Sequence, residues 1–214
     1  MPYENYLSSG MHIGMRQTTA DMKRFVYKIR EDGLAILDLA TIEKRIQIAA
    51  AFIAKFNRPL VVSRKLVGHR PVTKFAETIG GKAVIGRFLP GTITNPAFPG
   101  YYEPDVVIIT DPLVDKQAII EAMKARIPIV SLCDTLNETA CIDLIIPVNN
   151  KGRKAIAMVY WLLAREILKV RGTIKADEEF TPKPEEFEMA EAETRIERKE
   201  ERPERKRRSR TRKK

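Results

Sequence analysis

Three aspartates stand where a parallel α/β sheet could put carboxylates to chemical use. Asp111 follows the apolar run Val106–Thr110, Asp134 follows Ile127–Leu132, and Asp115 lies close in sequence to Asp111. Carboxylates paired at strand ends can hold a divalent cation or act as acid and base. Open α/β sheets bind ligands outside the carboxyl ends of their strands. Helix N-caps fall at the same positions, and Asp is a favoured cap. With nothing else beside them, capping and turn roles are the preferred reading.

The partners an enzyme would need are missing from the sequence. No GxGxxG follows a strand, and there is no GxxxxGK[ST], GxSxG or HExxH. Gly80-Gly81 ends a helix before a strand, where a helix stop explains it. His12 and His69 are far apart, and Cys133 and Cys141 form no CxxC pair, so neither a zinc site nor a disulfide framework is expected. A reducing compartment suits such a chain. No cofactor and no small-molecule substrate are expected.

The basic residues say more. Arg16, Lys23, Arg24, Lys28 and Arg30 crowd the N-terminal segment. Arg64 and Lys65 follow a strand, with His69, Arg70 and Lys74 behind them, and Arg87 follows another. Asn149, Asn150, Lys151, Gly152 and Arg153 lie between the last strand and the last helix. Lys and Arg at such places neutralise phosphates and release counterions, and backbone N–H groups there can join them. A single cluster of this kind is normally a solvated face. Their repetition, with a net charge of +10 and a pI near 9.6, points to RNA. No RNP-type aromatic motif, KH loop or zinc knuckle is present, so the expectation is recognition of RNA shape and backbone.

The elements that must position these residues alternate strand and helix. β-rich runs occur at Leu60–Ser63, Ala83–Ile85, Val106–Thr110, Ile127–Leu132 and Leu144–Val148. Near-continuous Val/Ile/Leu runs indicate parallel strands buried on both faces. Helical spacing predicts helices over Thr41–Phe56, Pro71–Ile79, Lys116–Ala125 and Lys151–Val170, packed on both faces of the sheet. Ahead of them, Phe25–Ile29 and Leu34–Leu37 flank Arg30-Glu31-Asp32-Gly33 as a hairpin. One stretch has no periodicity: 86–104 carries four prolines and three glycines. A loop that long in a compact domain is usually functional or disordered, and a surface-packed structural loop is the alternative to docking. Phe88, Phe98, Tyr101 and Tyr102 make it a candidate protein-docking loop.

Residues 1–175 are expected to form one domain, and 176–214 a charged extension. The extension is acidic first, with eight acidic residues against Lys183 alone between Asp177 and Glu193. It ends on a basic arm, with Arg205, Lys206, Arg207, Arg208, Arg210 and Arg212 among its last ten residues. Between them, composition predicts a lone helix over Glu185–Glu201, with Pro184 in its first turn and too few apolar residues to hold a core. MPYENYLSSG has neither a basic n-region nor an apolar core, so it does not read as a signal peptide. The longest apolar run, Ala155–Ala164, is about half of the ~20 residues a membrane span needs. The expectation is a cytoplasmic protein without a membrane partner.

Motif order then adds a resemblance. Gly10-Met11-His12-Ile13-Gly14 with Met22, Phe25 and Val26, Asp32-Gly33, and Ile36-Leu37-Asp38-Leu39 come first. Arg87-Phe88-Leu89-Pro90-Gly91-Thr92-Ile93-Thr94-Asn95, Glu103-Pro104-Asp105 and Thr110-Asp111-Pro112 follow. Ile127-Pro128, Asp134-Thr135, Asp143 and Ile146-Pro147-Val148-Asn149-Asn150-Lys151-Gly152 complete the series. Together they resemble the small-subunit ribosomal protein S two family, whose eukaryotic member is ribosomal protein SA, over nearly all of residues 7–172. The resemblance implies a flavodoxin-like three-layer domain with a five-stranded parallel sheet and an N-terminal β-hairpin. It also implies binding to small-subunit ribosomal RNA and neighbouring ribosomal proteins, in the cytoplasmic ribosome, with no catalytic residues. Bacterial members carry a long coiled-coil insertion after the loop signature. Here Asn95–Pro104 joins directly to the next strand, and the long acidic eukaryotic extension is absent, so the resemblance is to the archaeal type. Two readings compete with it: an α/β enzyme built on Asp111, Asp115 and Asp134, and a free nucleic-acid chaperone or membrane-surface binder acting through Arg205–Lys214.

Overall fold

The five β-rich runs become five parallel strands because each is apolar on both faces and must be covered twice. In the computed structural model, which describes residues 3–174 and 180–189, they are β3 (Pro59–Ser63), β4 (Lys82–Ile85), β5 (Val106–Ile109), β6 (Ile129–Cys133) and β7 (Leu144–Pro147). β1 (Val26–Ile29) and β2 (Ala35–Leu37) form the expected antiparallel hairpin ahead of them. The helices are α1 (Tyr3–Ser9), α2 (Leu39–Ile53), α3 (His69–Ile79), α4 (Lys116–Lys124), α5 (Arg153–Val170) and the single turn α6 (Pro184–Phe187). The sheet order is β4-β3-β5-β6-β7, every pair parallel. Counted from β3 this is the flavodoxin-like order, whose direction reverses between β3 and β5.

The two faces are covered differently. On one, α2, α3 and α5 bury Val61, Val106, Ile108, Val130 and Leu132. α5 is nearly apolar all round because it lies between the sheet, its neighbouring helices and a C-terminal strap. On the other face α4 is the single helix among the described residues. The rest of that face is closed by the loop between β4 and β5. Phe88 and Ile93 drop onto Leu60, Val62, Val107 and Ile109. Sequence patterning expects helices on both faces; a loop takes the place of one of them.

Helix limits follow local chemistry. The Asp38 carboxylate accepts the backbone N–H groups of Ala40 and Thr41 and so starts α2 two residues before the expected Thr41. Gly80, in the left-handed region at φ 75°, ends α3 as the sequence indicates.

The C-terminal segment departs from expectation. The helix expected over Glu185–Glu201 is one turn long where described, because Glu188 is extended (φ −79°, ψ 132°). Phe187 and Met189 are buried, so residues 180–189 form a strap, and 190–201 of the expected helix lie outside the described residues. Phe180 packs edge-on to Trp161 at 5.5 Å between ring centroids, and the Trp161 indole N–H donates to Pro182 O at 2.6 Å. The basic arm Arg205, Lys206, Arg207, Arg208, Arg210 and Arg212 lies outside the described residues. No helix among the described residues is long and apolar enough to cross a membrane.

Candidate nucleic-acid interface

The three aspartates converge at the carboxyl ends of the strands, where each accepts hydrogen bonds from the protein, although Asp115 Oδ2 is buried without a partner. Asp111, 2% exposed, forms an ion pair with Lys65 and accepts the Leu113 N–H and the Asn137 amide, each at 3.0 Å. Lys65 also donates to Asn150 O at 3.0 Å. The Asn150 amide donates to Leu132 O and to Asn137 Oδ1, which in turn accepts the Asp134 N–H. Asp115 accepts the Arg64 N–H at 3.1 Å across the β3/β5 reversal point. One bonded network therefore fills the place where this sheet order usually opens to a ligand. Asp134 accepts the Thr135 N–H, and Lys151 Nζ stands 4.0 Å from its carboxylate.

The N-terminal segment closes the crevice from above. Gly14 N–H donates to Ala35 O, Met15 N–H to Thr135 Oγ1, Thr19 N–H to Thr135 O, and Asn149 N–H to Met11 O. A Cβ at Gly14 would lie 2.5 Å from Thr135 Cγ2, so only glycine lets the segment sit this low. The Cys133 thiol at the end of β6 is pushed up to about 12 by burial, which keeps it protonated.

Burial also raises the Asp115 pKa to about 6, and the Asp134 pKa moves in the same direction for the same reason. A carboxyl group whose folded pKa lies above its unfolded value holds more protons in the folded state. Its contribution to stability therefore falls as pH rises through the interval between the two values. Asp115→Asn is expected to flatten the loss of stability between about pH 4 and pH 6, as read from urea midpoints across that range.

The predicted basic residues separate into three groups. Arg16, Arg64, Arg87 and Lys151 are exposed; the last three follow β3, β4 and β7 at the same end of the sheet, and Arg16 lies in the segment that crosses it. Lys23, Arg24, Lys28 and Arg30 are exposed on or beside the hairpin, with Arg24 lying over the Phe25 ring. The remaining predicted residues have structural work. Lys65 and Asn150 belong to the buried network, and Asn149 caps the entry to α5 through the Lys151 and Gly152 N–H groups. Arg70 donates to Glu186 O, Arg153 pairs with Glu188 at 2.9 Å, and Lys74 pairs with Glu77 on α3. These bonds give the residues a role in the fold beside the RNA contact expected of them from the sequence. His69 opens α3 and is half-buried.

The aromatic loop needs a similar correction. Phe88, 5% exposed, faces the core and cannot dock a partner. Tyr102 leans on the same cluster beneath Lys82, while Phe98 lies against Gly100. What holds the loop is a residue the sequence did not mark. Glu121 on α4, 4% exposed, accepts the Gly91 and Ile93 N–H groups and the Gln117 amide. In the sequence it is one charged residue of an ordinary amphipathic helix.

The domain has a flavodoxin-like strand order, a crevice occupied by its own side chains and exposed basic residues at its strand ends. The profile of the ribosomal protein S2 family matches residues 6–98 and 101–170, so the chain belongs to that family. It is 51% identical to the small ribosomal subunit protein uS2 of Ignicoccus hospitalis over 199 residues, 92% of each chain. It is 50% identical to that of Staphylothermus marinus over 191 residues, 88% of this chain and 87% of the other. For the Picrophilus torridus protein the values are 48% over 192 residues, 88% and 96%. These relatives are archaeal, as the missing insertion suggested.

Proposed function

We infer that this protein is a structural constituent of the small ribosomal subunit, binding its RNA and neighbouring ribosomal proteins and thereby supporting assembly and translation. It is not an enzyme, and its place is the cytoplasmic ribosome. The observation that carries the reading is family membership along nearly the whole domain. The filled crevice agrees with it, because the carboxylates a catalyst would use are already bonded to Lys65, Asn137 and backbone N–H groups.

Within that function we assign phosphate contact to the exposed rim of Arg16, Arg64, Arg87 and Lys151, with the terminal arm Arg205–Lys214 as a second contact. Both are basic, and Arg16, Arg64 and Arg87 are exposed, as is Lys151, which also stands 4.0 Å from the Asp134 carboxylate. Lys74, Arg70 and Arg153 are assigned to the fold. The test is reconstitution of small subunits with the full chain, with Arg64→Ala/Arg87→Ala/Lys151→Ala, and with a chain ending at Arg202. The rim variant is expected to lose most incorporation at elevated salt, and the shortened chain to retain it. Loss confined to the shortened chain would move the function to the arm.

A further inference from the structure

Among the described residues β1 is an edge strand that no other strand covers on its outer side. β2 pairs with it on one side and bridges through Ile36 to Ile13 on the other, so among the described residues β1 has a single strand neighbour. Its last three residues are exposed: Tyr27 at 72%, Ile29 at 66%, and Lys28 between them. Arg30 N–H donates inward to Leu34 O and Ile29 is registered with Ala35. By the alternation of an antiparallel ladder, Ile29 then turns its own N–H and C=O to the open side. Native proteins usually blunt such an edge with proline, a charge turned inward or a covering loop. Here the strand is four residues long, carries Lys28 and has a register shift between Val26 and Lys28, and these leave the Ile29 backbone open. Beside the strand runs an open groove of about 440 Å³, its walls mainly apolar (Leu7, Tyr27, Ile36, Leu39) and its rim carrying Lys28 and Arg30.

We propose that β1 accepts an added strand from a neighbouring small-subunit protein, an extended segment with apolar residues at alternate positions and acidic residues between them. This rests on the ribosomal reading above. The open N–H and C=O groups match a polypeptide backbone; on one face of the strand the exposed Ile29 takes an apolar side chain, and on the other Lys28 and Arg30, which share a face with Ile36, select acidic ones. Arg30 is held only loosely by Asp32, at 3.7 Å with both side chains exposed, and is available to a new carboxylate. Lys23 and Arg24, exposed just ahead of the strand, add to the same field. An RNA strand would use the charges but leave the apolar groove and the backbone edge unused.

The test has two arms in assembled small subunits. The full chain carrying benzoylphenylalanine at Tyr27 is incorporated, irradiated and mapped by mass spectrometry. The unsubstituted chain is compared, free and in the subunit, by amide hydrogen exchange over residues 26–30. We expect a cross-link to an extended acidic–apolar segment of another ribosomal protein, and exchange at Ile29 slowed at least about tenfold on incorporation. A cross-link to RNA, or exchange at Ile29 unchanged in the subunit, overturns the proposal, and the exchange arm decides even if the substituted chain fails to incorporate. Sedimentation of the unsubstituted chain with subunits reports on the ribosomal reading separately.

Discussion

Lys65→Met is expected to destabilise the domain by about 3–5 kcal/mol, the cost of leaving one member of a buried ion pair alone. Asp111 is 2% exposed, so it cannot recover the lost ammonium from water. Its remaining partners, the Leu113 N–H and the Asn137 amide, are neutral. The loss also frees Asn150 O, which Lys65 now satisfies. Removing both charges is expected to cost less than removing Lys65 alone. In Lys65→Met/Asp111→Leu the Asp111 carboxylate is not left without its counter-ion, although the Asn137 amide and the Leu113 N–H lose their acceptor. Urea denaturation of the two single variants and the double variant measures this. Additive losses would show that the two residues do not act as a pair.

Glu121→Ala is expected to cost about 3 kcal/mol and to act on a different part of the molecule. The carboxylate satisfies the Gly91 and Ile93 N–H groups, and Ile93 is 3% exposed. Truncation leaves these donors buried without acceptors, at roughly 1–3 kcal/mol each. The loop would then lift, and Phe88 and Ile93 would leave the sheet face they close. Hydrogen exchange across 88–104 should accelerate far more than exchange in α5, and near-uniform acceleration would show that Glu121 serves the whole core instead. Glu121→Gln, which keeps one acceptor, should recover part of the loss.

These predictions mark what the sequence makes legible. Parallel strands are easy to read because burial on both faces leaves an apolar run, and all five appear within two residues of the expected limits. The hairpin is legible through Asp32-Gly33, whose glycine has φ 82°. Charge is harder to interpret, because Lys and Arg have the same letters whether they face water, pair internally or clamp a strap. Arg70 and Arg153 look like phosphate ligands until Glu186 and Glu188 are brought beside them from more than thirty residues away. The Glu185–Glu201 expectation weighs helix propensity alone and finds too few apolar residues for a core. Phe180, Phe187 and Met189 need no core of their own, because α5 supplies one. Glu121 stays hidden for the same reason: a tertiary hydrogen bond to a loop N–H leaves no local pattern.

The filled crevice also bears on how this architecture serves the ribosome. The same strand order elsewhere leaves room for a ligand at the reversal point. Here Lys65, Asp111 and Asp115 occupy that place, and Gly14 lets the N-terminal segment lie over the neighbouring strands. Arg64, Arg87 and Lys151 stand exposed at these strand ends, where the proposed phosphate contact needs them.

The central claim is that this rim meets RNA phosphates, and the salt dependence of RNA binding tests it most directly. Affinity for small-subunit ribosomal RNA should be measured from low to physiological salt for the full chain and for Arg64→Ala/Arg87→Ala/Lys151→Ala. Each phosphate contact contributes about 0.7–0.9 to the slope of log affinity against log salt, so the triple variant should lose about 2 from it. An unchanged slope, with binding intact, would contradict the account.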